Sequence, residues 1–365
     1  MFRVVLYALL LCSGAAALIY EVIWQRQLIL VFGASTPAIS AVLTSFMGGL
    51  ALGSLLFGRR VDRMRRPLAA YGLVELGIAG SALAVPALLA GSNGLYTWAY
   101  QDLGFEQGWL HALRYGLCAV VLLIPTTLMG ATFPLMGRIL TRSDETLGRE
   151  TGVFYAVNTL GAVIGCLLAG FVLIPTIGMH GAGMTAVALN VTVATGALLA
   201  AMRAPVNQDE PIGPVVPTED STGLSARRRA LLGLYAVSGF AAMGYQIVWT
   251  RLTSIYTTSN ILAFTTIVSV FLIGIAAGSW LYSTVLDRRR RWLGGFFAAG
   301  HIAIGLYAVG LLYWLPRLSI WLCDKEFIGT RVAPWKYPAG EVLLSMAMVL
   351  PPTLIMGALL PTVVR

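Results

Sequence analysis

Apolar runs of roughly twenty residues recur along almost the whole chain, each long enough to cross a hydrocarbon core of about 30 Å. Ten such runs are read, at 4–24, 37–58, 68–90, 108–137, 151–175, 181–202, 229–250, 260–283, 292–315 and 340–363. Only 11% of the 365 residues are charged, against about 25% in soluble domains. A water-soluble globule is therefore excluded, and an all-α polytopic membrane protein is predicted. The net charge of +9 would suggest nucleic acid in a soluble protein. Here the arginines sit in short loops, and basic and aromatic residues do not interleave on a polar face, so nucleic-acid binding is not expected. Cys12, Cys118, Cys166 and Cys323 form no CxxC pair, which predicts neither a disulfide framework nor a zinc site.

The runs belong to an internal repeat. Ser13–Arg26 (SGAAALIYEVIWQR) matches Ser238–Arg251 (SGFAAMGYQIVWTR) at an offset of 225 (238 − 13), kept through Phe46/Phe271, Gly49/Gly274, Gly53/Gly278 and Asp62/Asp287. Met129–Arg138 matches Met356–Arg365 at an offset of 227 (356 − 129). The repeat also argues against a signal peptide at the N-terminus, because its copy lies mid-chain.

Six spans per unit make the two units parallel. The predicted organisation is a first six-helix repeat at 1–203, a Pro-rich and acid-containing cytoplasmic linker at 204–228, and a second repeat at 229–365 with four helices present. The second unit stops at the equivalent of Arg138, so two helices, and any domain after them, are expected beyond 365, as in a fragment or truncated product. Arg59, Arg60, Arg63, Arg65 and Arg66, then Arg138, Arg142 and Arg149, then Arg227–Arg229 and Arg288–Arg291 share one side if the N-terminus is cytoplasmic, in a cell inner membrane. Tyr96, Trp98, Tyr100, Trp109, Trp314, Trp321, Trp335 and Tyr337 fall on the other side and read as interfacial anchors.

Gly58, Asp62, Arg63, Arg65 and Arg66 resemble the major facilitator loop motif G-x-x-x-D-R-x-G-R-R, with Arg65 in place of its second glycine; Asp287 and Arg288 repeat the core of it. Such an Asp can clasp Arg and the next helix N-terminus as a gate, or the charges can simply set topology. The wider pattern resembles the membrane region of fused major-facilitator-like/spermidine synthase proteins. The carrying residues are SGAAALIYEVIWQR, VFGAS at 31–35, FMGGLALGSLLFGRRVDR at 46–63, IPTTLMGATFPLMGR at 124–138 and VFYAVNTLGAVIGCLLAGFVLIPTIG at 153–178. The resemblance implies a transporter-like module with a polyamine as possible cationic ligand, or a membrane anchor or channel for an aminopropyltransferase-like domain absent from these residues. The chain itself shows no Gly-rich nucleotide loop, hydrolase triad or metal cluster. No cofactor is expected, and transferase activity would need a further domain.

Glycines at small-xxx-small spacing, Gly49/Gly53, Gly161/Gly165 and Gly274/Gly278, predict close helix crossings. Ionisable groups in spans are costly and default to functional candidates. Tyr20, Glu21 and Trp24 correspond to Tyr245, Gln246 and Trp249, and Arg114 corresponds to Glu341. Glu21 and Arg114 are read at matching depth, either as an ion pair lining a cavity or as snorkelling groups. Glu75 could carry a proton or meet a cation, with Asn158 as its partner, or could be a satisfied interhelical hydrogen bond. His301 lies at similar depth. Pro125 and Pro134, and Pro351, Pro352 and Pro361, predict bends in corresponding spans.

Overall fold

The computed structural model describes residues 2–33, 36–104, 106–140, 147–203, 226–256, 260–282, 293–324 and 336–364. Ten long helices account for nearly all of them: α1 (Phe2–Phe32), α2 (Thr36–Gly58), α3 (Pro67–Gln101), α4 (Gln107–Leu140), α5 (Leu147–Leu168), α6 (Ile174–Arg203), α7 (Ala226–Tyr256), α8 (Asn260–Leu281), α9 (Leu293–Asp324) and α10 (Lys336–Val364). No strand occurs among the described residues. The chain divides into two compact units, Met1–Glu219 and Asp220–Arg365.

Several helices run past the expected span ends. A hydrophobic run ends where polar residues begin, but a helix can continue through them when neighbours accept them. Thus α1 carries on through Glu21 and Gln25, both buried, to Phe32. It stops at Gly33, whose φ of 84° is the left-handed conformation that glycine tolerates, and the Gly33 N–H donates to the Ile29 carbonyl at 2.8 Å. Pro67 starts α3 from its first turn, where its missing N–H costs nothing. A π-helical turn at Ala169–Leu173 joins α5 to α6, and the chain bends at Gly178 (φ 72°). α7 begins at Ala226, so Arg227 and Arg228 are helical; residues 204–225 of the expected linker lie outside the described residues.

Helix crossings in the first unit are set by the predicted glycines. In the crossing of α2 and α4, a Cβ on Gly49 would overlap Thr126 Oγ1, one on Gly53 the Thr127 carbonyl, and one on Gly130 the Leu50 carbonyl. Backbones meet there, so only hydrogen fits. Gly161 and Gly165 of α5 do the same against the Leu11 and Ala15 carbonyls of α1. The second unit repeats the first crossing in α8 and α10: Gly274 on Thr353, Gly278 on Leu354 and Gly357 on Ile275.

The prolines explain a second repeated feature. Pro134 lies inside α4 and cannot donate to the carbonyl four residues back, that of Gly130. Ser54 of α2 donates to that carbonyl instead, at 2.9 Å. In the second unit Pro361 leaves the Gly357 carbonyl without its helical donor, and Ser279 of α8 donates to it at 2.8 Å. Away from water, a helix keeps such a proline at less cost when a neighbour supplies the missing donor. The hydroxyls of Thr126 and Thr353, each following a proline, bond back to the Leu122 and Val349 carbonyls at 2.6 and 2.7 Å.

Candidate functional site

Two sets of aromatic and polar side chains recur at equivalent places. On α1, Tyr20 and Trp24 are one turn apart and stack, with ring centroids 4.9 Å apart and planes 17° apart. Phe46 of α2 closes on Trp24 at 6.4 Å. Glu21, next to this stack, is 5% exposed. Its Oε1 is buried without a hydrogen-bond partner, as is the Tyr20 hydroxyl. On α7, Tyr245 and Trp249 stack at 5.2 Å and 15°, and Gln246 is buried. The frame is the same in both units, and only the first holds a carboxyl group.

Arg114 does not pair with Glu21. Its Nη2 donates to the Tyr96 hydroxyl at 2.9 Å, its Nη1 lies 3.4 Å from His111 Nδ1, and its guanidinium sits 6.0 Å from the Phe32 ring centroid. Phe32 is eleven residues beyond Glu21 on a continuous helix, about 16 Å further along the axis at 1.5 Å per residue. The depth match read from the sequence fails because α1 is longer than its apolar run. Tyr96 also differs from its expected role. It faces Phe32 edge-on at 5.3 Å and holds Arg114, whereas Trp98, Tyr100, Trp109 and Trp314 are exposed as interfacial anchors would be.

Glu75 of α3 is fully buried, at 0% exposure. The Ser13 hydroxyl of α1 donates to its Oε1 at 2.6 Å, and the Asn190 amide of α6 donates to its Oε2 at 2.5 Å. Asn158 is not its partner. That residue packs its carbonyl against Gly14 on another side of α1. Asn190 was missed in the sequence; the available signal was a lone amide in an otherwise apolar run, where an unpaired polar group is expensive. In the second unit His301 Nε2 lies 2.7 Å from the Ser238 hydroxyl, and its Nδ1 lies 2.9 Å from the Phe297 carbonyl.

Asp62 and Arg63 lie in a 3-10 turn after Gly58, and both are exposed. Arg66, the residue that opens α3, makes no side-chain cap to it. The side chain of Glu341, and Asp287 and Arg288 altogether, lie outside the described residues. Among the described residues no group of His, Cys, Asp or Glu could hold a metal ion.

Large apolar side chains face outward from most helices, among them Val120 (63%), Ile124 (64%), Leu306 (69%) and Phe240 (82%). Among the described residues, seven segments are long and apolar enough to cross a membrane, the longest being Val153–Arg203, which contains both α5 and α6. Lipid is the solvent that such a surface requires. The Major Facilitator Superfamily matches residues 6–329. The chain belongs to that superfamily. It is therefore a multi-pass, transporter-like membrane module, and the buried polar groups of this major facilitator protein lie within its helical units rather than on a soluble domain. No curated protein sequence matches it at a significant level.

Proposed function

We infer that this major facilitator module handles a small organic cation, such as a polyamine, with Glu21 as the anionic contact and the Tyr20–Trp24 stack as an aromatic face for its methylene or ammonium groups. One observation carries the reading: a carboxyl group 5% exposed, with one oxygen lacking any partner, beside a stacked aromatic pair. A buried acceptor left unmade is costly, and an ammonium ligand would satisfy both oxygen and ring face. Tyr245, Gln246 and Trp249 would be the second unit's counterparts, with the amide supplying specificity in place of charge, and Glu341, at the equivalent of Arg114, would be a separate acid. The motif resemblance to spermidine-synthase-fused proteins supports the polyamine class, and the arginine-rich loops support a cytoplasmic N-terminus in an inner membrane.

Equilibrium binding of labelled spermidine and putrescine to purified protein in lipid nanodiscs tests the reading. Saturable binding that falls about 10- to 100-fold in Glu21→Gln is expected, the scale of one charge-assisted hydrogen bond. Equal binding by wild type and variant, or no binding by either, would count against it.

A further inference from the structure

The third helix of each unit carries an acid or imidazole side chain hydrogen-bonded to the same serine of its unit's first helix. Ser13 and Ser238 are equivalent at the offset of 225, and they meet Glu75 and His301 respectively. Glu75 and His301 differ by 226 (301 − 75), between the offset of 225 before them and 227 after them. The sequence match alone opposes Glu75 to Gly300, and the shared serine reveals the functional equivalence. We propose that Glu75 and His301 are proton-binding sites, one per unit, each reporting its protonation to the first helix through that serine.

The surroundings fit a group that must exist in two states. Ionised, Glu75 accepts from Ser13 and Asn190. Protonated by one proton from solution, it becomes a donor and needs an acceptor. Two buried atoms near it have none, Asn190 Oδ1 and Tyr20 Oη, and the Tyr71 hydroxyl lies against Glu75 as well. Cys12 and Tyr20 of α1 and Tyr71 of α3 are the titratable groups around it. From α4 the nearby Leu128, beside Gly77, is apolar. Among the described residues no cation pairs with Glu75, so a proton is its available positive charge.

His301 shows the complementary logic. The Phe297 carbonyl only accepts, so Nδ1 carries a hydrogen. Nε2 then accepts from the Ser238 hydroxyl when the ring is neutral and donates to it when the ring is protonated. Taking up a proton reverses that hydrogen bond and turns the serine hydrogen elsewhere. The Phe297 ring lies 4.4 Å away, and Leu359 and Ile355 of α10, which pack on the neighbouring Gly300, are apolar.

The test needs no ligand, so it fails independently of the polyamine reading. Infrared pH-difference spectra of the full chain in lipid should show a carboxylic C=O band that titrates, persists in Glu21→Gln and disappears in Glu75→Gln. Nitrogen-15 spectra should show a histidine resonance that follows pH in wild type and is lost in His301→Gln. Ser13→Ala and Ser238→Ala should each displace the midpoint of their own partner by about half to one pH unit, a three- to tenfold change in proton affinity. A merely structural serine would leave both midpoints in place. Glu75→Gln spectra superimposable on wild type would overturn the Glu75 assignment. Unmoved midpoints in the serine variants would overturn it even if Glu75→Gln failed to fold. A His301 ring that holds one state throughout would overturn the second site.

Discussion

Removing the serine that serves a proline-freed carbonyl should destabilise the first unit, and the loss should depend on the proline. Ser54→Ala leaves the Gly130 carbonyl with neither its helical donor nor the hydroxyl now 2.9 Å away. An unsatisfied buried acceptor costs about 1–3 kcal/mol. Interhelical hydrogen bonds in membranes average about 0.6 and reach about 1.7 kcal/mol. A loss of about 1–2 kcal/mol is therefore expected, or roughly 2–8 °C in melting temperature for a unit of this size. Pro134→Ala restores an N–H at the position that can reach the Gly130 carbonyl, so Ser54→Ala should cost less than about 0.5 kcal/mol in that background. The assay is thermal exposure of Cys118 and Cys166, both 0% exposed in the native protein, to a thiol-reactive dye in detergent. The same cycle in the second unit, Ser279→Ala with Pro361→Ala, should give coupling of the same sign. Additive effects in both cycles would refute the argument that the serine substitutes for the donor that proline lacks.

Gly53→Ala should destabilise by about 1–3 kcal/mol, because its Cβ meets the Thr127 backbone, whereas Gly48→Ala, with nothing within 4 Å, should be neutral or stabilising; dye-exposure melts distinguish them. Gly278→Ala should match Gly53→Ala in the second unit, where the Leu354 carbonyl stands in the way. Asn190→Leu should destabilise by about 1–3 kcal/mol by leaving Glu75 Oε2 without its donor, while Asn158→Leu should leave the Glu75 carboxyl band unchanged in infrared spectra. Asp62→Asn should alter melting by less than about 0.5 kcal/mol, as an exposed residue.

Much of the fold was legible because its causes are local or periodic. Hydropathy located all ten helices, and the spacing of Gly49 and Gly53 announced the crossing that the backbones make. The repeat transferred that crossing to Gly274 and Gly278. Helix ends were less legible, since Glu21, Gln25 and Arg26 interrupt hydropathy without interrupting α1. That error propagated to the site: Glu21 and Arg114 looked level only while α1 was thought to end near 24. The pairing of Glu75 was hard to read for a different reason, although the lone amide of Asn190 in an apolar run was visible. Asn190 lies 115 residues away, and only the packing of α3 on α6 brings the two together. The correspondence of Glu75 with His301 was hidden by a one-residue shift of register, and became visible only through their equivalent serines.

Flux is the most direct test of the central claim that this major facilitator module moves a cation by way of Glu21. Protein reconstituted in liposomes should accumulate labelled spermidine or putrescine faster than empty liposomes do. Glu21→Gln should lower the initial rate about tenfold or more at unchanged melting temperature, and Gln246→Glu should change selectivity rather than abolish transport. Rates equal to those of empty liposomes, or a Glu21→Gln protein that transports as wild type does, would contradict the account.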